Sequence, residues 1–163
     1  MRRLVASVPA VVMALAMTAT VVLAAVTWHS GPTVVFNGTT SATASGNGSG
    51  FGNQPAVATL TLHASVTYTC QNKGGAQAPG QNPVDATTSG SADLGNADHN
   101  GRGTFNFTVT FSPAATVPGK SIGCPNGNWT GVNPVSGGVT GADLLITQGG
   151  NTIYNQFWDN PNN

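Results

Sequence analysis

The chain has 163 residues, only 6% of them charged, with five Lys/Arg against five aspartates and no glutamate. Charge this sparse builds no basic surface for nucleic acid. Gly and Thr are the commonest residues, Asn is frequent and Glu is absent, a composition that favours turns and strands over helix.

Arg2 and Arg3 precede an apolar run from Leu4 to Val26 that closes on small residues, the pattern of a secretion signal. Val22, Leu23 and Ala24 suit a cleavage point, so residues 1–25 read as a cleaved signal peptide and residues 26–163 as one domain. A retained signal anchor is the alternative, since the run is long enough to span a bilayer. No cysteine near the junction marks a lipoprotein, and Arg2-Arg3 lacks the rest of a twin-arginine motif. The expected location is outside the cell or in its envelope, with no membrane contact after cleavage. Losing the signal leaves Lys73, Arg102 and Lys120 against Asp85, Asp93, Asp98, Asp143 and Asp159, a net charge of −2.

His29 becomes a copper ligand only if cleavage exposes it as the N-terminus, which Trp28 before it disfavours. Short strands are expected at Thr33 to Asn37 and Thr39 to Ser45. From Ala58 to Cys70 apolar residues alternate with Thr, His and Ser without a break, which predicts a long half-buried strand with His63 on its solvent side and no neighbour to make it a base. The two cysteines, Cys70 and Cys124, are expected to pair, as an even count in an exported chain most often does. Closing that loop stabilises the fold by about 4 kcal/mol in the chain-entropy model. Gln71 to Pro83 and Cys124 to Gly138, rich in Gly, Pro and Asn, read as long surface loops that the bridge gathers at one end.

Thr87 to Leu94 reads as a further strand. After it comes NADHNG, where Asn96, Asp98 and Asn100 fall on the first, third and fifth places of a calcium loop. The twelfth place falls on Phe107, which excludes an EF-hand. A low-affinity calcium site adding Asp93 is the surviving metal candidate, and a turn at Asn100-Gly101 joining two antiparallel strands explains the same residues. Phe105, Phe107, Val109 and Phe111 then present one apolar face to a core. GKSIG, Gly119 to Gly123, matches a hydrolase elbow, but Cys124-Pro125 follows where a helix is required, so Ser121 reads as a loop hydroxyl. Ala142, Leu144 and Ile146 face inward, with a further strand signal around Val139; Gly149-Gly150 turns the chain, and Ile153, Asn155 and Phe157 alternate with Tyr154, Gln156 and Trp158. On that alternation Tyr154 and Trp158 are exposed and, with Trp129 in the cysteine-rimmed loop, are the candidate ligand-binding rings. N-x-[ST] sequons stand at Asn37, Asn47, Asn106 and Asn128, the third on a solvent-facing strand position.

About seven strands bounded by turn residues predict an all-β, immunoglobulin-like two-sheet sandwich, with a closed barrel as the alternative. The blocks VTYTCQNKGG, APGQNPV, NGRGTF and GCPNGNWTG resemble small secreted two-cysteine proteins of actinobacteria with a β-sandwich-like pattern, over about Thr33 to Trp158. The resemblance implies location, a Cys70–Cys124 bridge and fold; it supplies no activity and no catalytic residues. The five aspartates are scattered, without the carboxylate pair that glycoside hydrolysis needs. The expected function is a non-catalytic binding or structural module without a cofactor, taking a cell-wall or extracellular glycan or a protein, or associating with itself. A calcium-assisted carbohydrate-binding module is the competing expectation.

Overall fold

The computed structural model describes residues 25–80, 82–94 and 101–163. Residues 1–24, all but the last of the expected signal peptide, lie outside them, as do Asn96, Asp98, His99 and Asn100. Nine strands and one 3-10 turn follow in order: β1 Thr27–Asn37, β2 Ser41–Ser49, β3 Ala56–Gln71, β4 Gln77–Pro79, β5 Val84–Asp93, β6 Arg102–Thr110, β7 Thr116–Pro118, the turn Gly119–Ile122, β8 Thr130–Gln148 and β9 Asn151–Asp159. The chain is a two-sheet sandwich with no α-helix among the described residues. Seven strands are long and correspond to the predicted ones; the additions are β4 and β7, three residues each and too short for alternation to reveal.

One sheet has the order β1-β2-β6. In the other, β3 and β8 form the centre; β5 and β4 lie along the free side of β3, and β9 and β7 along that of β8. All pairings are antiparallel. Burial along β3 alternates through all sixteen residues, because its even positions pack between the sheets and its odd positions face water. Leu60, Leu62, Leu144, Ile146 and Val139 fill the core from this sheet, against Ala42, Ala44, Phe105 and Val109 from the other.

The middle strand β2 is nearly all small residues because rings occupy the space beside it. A Cβ on Gly46 would lie 2.7 Å from the Phe105 ring. Trp28 meets Phe51, Phe105 and Tyr154 edge-on at 5.6, 6.5 and 5.9 Å between centroids, an aromatic cluster assembled from four separate segments.

Two expectations are corrected. Neither cysteine-led segment is loop throughout: β4 pairs with Thr69–Gln71, and β8 begins at Thr130. Pairing with β3 holds this Gly/Pro/Asn-rich stretch extended, and register shifts at His63/Ala64 and around Tyr68 absorb its irregularities. Gly101 has the expected positive φ of 67°, but β5 and β6 belong to different sheets and so do not pair as a hairpin.

Candidate functional site

The disulfide end is assembled as its sequence implies. Cys70, fully buried at the end of β3, is bonded to Cys124, just beyond the 3-10 turn, with 5.7 Å between the two Cα atoms. The two following loops border a shallow cleft lined by Asn72, Lys73, Gly74, Asn126, Asn128 and Trp129. Side-chain turns stiffen both: Asn72 Oδ1 accepts the Ala76 N–H at 2.9 Å, and Asn126 Oδ1 accepts the Asn128 N–H at 3.0 Å. Trp129 is half-buried and packs against the core, so only part of its ring reaches the cleft. Ser121 lies exposed in the 3-10 turn, and no strand-to-helix elbow surrounds it.

The outer face of the larger sheet holds a second arrangement. Its strands line up in rows: Thr87, His63, Gly141 and Asp159 in one, and Ser89, Thr61, Asp143 and Phe157 in the next. His63 Nε2 lies 2.7 Å from Asp143 Oδ2, one row across, with both side chains about two-fifths exposed. The Phe157 ring leans over Gly141, where a Cβ would collide with it, and meets the His63 ring at 5.9 Å. A shallow cavity beside this group is lined by His63, Asp85, Thr87, Thr140 and Phe157. The contact gives His63 the neighbour that its sequence surroundings lack, from a residue 80 positions away.

The β9 aromatics are reversed from the expected exposure. Gln148 pairs with Asn151 and Thr147 with Thr152, but Ile146 then pairs with Tyr154, leaving Ile153 as an extra residue. A one-residue slip exchanges the two faces of a strand. Tyr154 and Trp158 therefore turn toward the core, with their rings 6.4 Å apart, while Phe157 is 49% exposed. Burial pushes the Tyr154 hydroxyl up from its ordinary value of 10.0, and it donates to Gln156 Oε1 at 2.6 Å. Tyr154 and Trp158 are both half-buried, so less of each ring reaches solvent than of Phe157. The signal for Phe157 was its place in the alternation, and the bulge that inverts it leaves no mark in composition.

Of the calcium candidates, Asp93 is exposed at the end of β5; Asn96, Asp98 and Asn100 lie outside the described residues. Among the described residues no group of three or more His, Cys, Asp or Glu is placed to hold a metal. His29 sits within β1, its Nε2 2.8 Å from Ser49 Oγ. All four sequon asparagines are exposed.

Compared with protein-family models, with curated proteins and with solved structures, the chain matches none of them.

Proposed function

We propose that this chain is an exported, non-catalytic β-sandwich that acts outside the cell or in its envelope as a binding module. Its contact surface is the outer face of the six-stranded sheet, and its ligand class is the neutral sugar ring of an extracellular polysaccharide. The observation that carries the reading is the exposed Phe157 ring beside the paired His63 and Asp143. An aromatic surface can stack on the apolar face of a sugar, while imidazole, carboxylate and the Thr87 and Thr140 hydroxyls provide hydrogen-bonding groups around it. Asp85, Asp93, Asp143 and Asp159 all lie on this face, and Lys73, Lys120 and Arg102 lie elsewhere, which disfavours anionic polymers.

Two observations support the reading, one of its setting and one of its fold. The formed disulfide is consistent with an oxidising compartment. The long strands run first-second-fifth in one sheet and fourth-third-sixth-seventh in the other. We read the sandwich as immunoglobulin-like on the strength of this order, with the fourth strand pairing with the third instead of the fifth.

Retention of the mature protein on microcrystalline cellulose, chitin and peptidoglycan tests the proposal. Wild type is expected to be retained on at least one matrix and Phe157→Ala to wash through, with Trp129→Ala as the comparator for the disulfide-end cleft. Loss of retention in Trp129→Ala alone would move the contact surface to that cleft. If no matrix retains the wild type, the sugar reading fails.

A further inference from the structure

We infer that two copies of this chain pair through β6, edge to edge and antiparallel, joining their three-stranded sheets into one six-stranded sheet. The inference is independent of the proposed sugar contact. A sheet edge presents unpaired N–H and C=O groups, and proteins that remain monomeric blunt it with charge, proline, bulges or short strands. Three of the long edges here carry such devices. β1 contains Pro32 and two register shifts against β2. β5 places Asp85 and Asp93 near its two ends, where symmetric antiparallel pairing centred on Ser89 would bring like charges opposite one another. β9 carries the bulge at Ile153 and ends on Asp159.

β6 has neither proline nor bulge. Its nine residues pair with β2 in unbroken register, and its one charge, Arg102, stands at the first position. The Phe111 N–H bonds the Thr40 carbonyl and the Gly101 carbonyl accepts from Phe51, so the odd-numbered residues turn their backbone groups toward β2. By alternation Thr104, Asn106, Thr108 and Thr110 turn theirs to the open edge.

A two-fold axis at Asn106 places Asn106 against Asn106 of the second copy, and Thr104 against its Thr108. Thr–Thr pairs of this kind are favourable, and Arg102 meets Thr110 rather than another cation. On the inner side Phe107 is only partly buried although its neighbours Phe105 and Val109 are buried, so a second copy also covers apolar surface.

Sedimentation of the mature chain from micromolar to millimolar concentration tests the inference. Wild type is expected to shift from monomer to dimer. Asn106→Lys and Asn106→Asp are each expected to lose the dimer while keeping the wild-type melting temperature, since the side chain is exposed. Mixing the two variants in equal amounts should restore a dimer, because Lys then faces Asp at the axis. A wild type that stays monomeric throughout overturns the inference; so does a dimer that Asn106→Lys leaves intact, or a mixture of the two folded variants that fails to associate. Thr108→Lys, also exposed, provides a second disrupting variant whose fold is checked in the same way.

Discussion

Gly141 leaves room on β8 for the Phe157 ring to lie across it, and that single missing side chain brings the ring into contact with His63. At the same scale, one extra residue at Ile153 sends Tyr154 inward beside Trp28. Burial disfavours the phenolate, so the folded-state value of Tyr154 is raised above its unfolded one. The associated stability is therefore intact below the ordinary value of 10.0 and is lost as pH climbs from there through the folded value, because the unfolded chain gives up its proton first. Melting curves between pH 9 and pH 11.5 should show wild type losing stability more steeply than Tyr154→Phe; parallel curves would refute the assignment. Alternation alone assigned the wrong aromatics to solvent here. Parity is a local property only while the register is unbroken, and a bulge is chosen by the fit of two strands.

At the scale of elements, β3 was legible almost to its ends. The unbroken apolar–polar alternation from Ala58 to Cys70 has one solution, a strand with one face buried. β8 was only half legible: its apolar end was clear, whereas Thr130 to Gly138 reads as loop and is held extended by β3. Tertiary pairing overrides propensity wherever a long neighbour supplies the hydrogen bonds. The disulfide joins the end of β3 to the segment before β8, across 54 positions. Replacing both cysteines, Cys70→Ala with Cys124→Ala, is expected to lower unfolding stability by about 4 kcal/mol, measured by denaturant titration. A midpoint unchanged from wild type would show that the clamp contributes nothing.

For the whole molecule, four of the five aspartates lie on one outer face, a distribution invisible in a composition that sums to near neutrality. Asp93 is the one calcium candidate among the described residues and sits at an exposed strand end. Melting in millimolar calcium and in chelator is expected to give the same temperature, and a rise of several degrees in calcium would restore the calcium-assisted reading.

Residue patterning by itself determined the all-β class, the seven long strands and the pairing of the two cysteines, because period-two burial and a two-cysteine count act through near neighbours or admit one solution. Tertiary structure alone decided which ring of β9 faces water, which aspartate stands beside His63 and which edge is left open. Each of those depends on the register between strands far apart in the chain, and register is settled by how whole faces fit together.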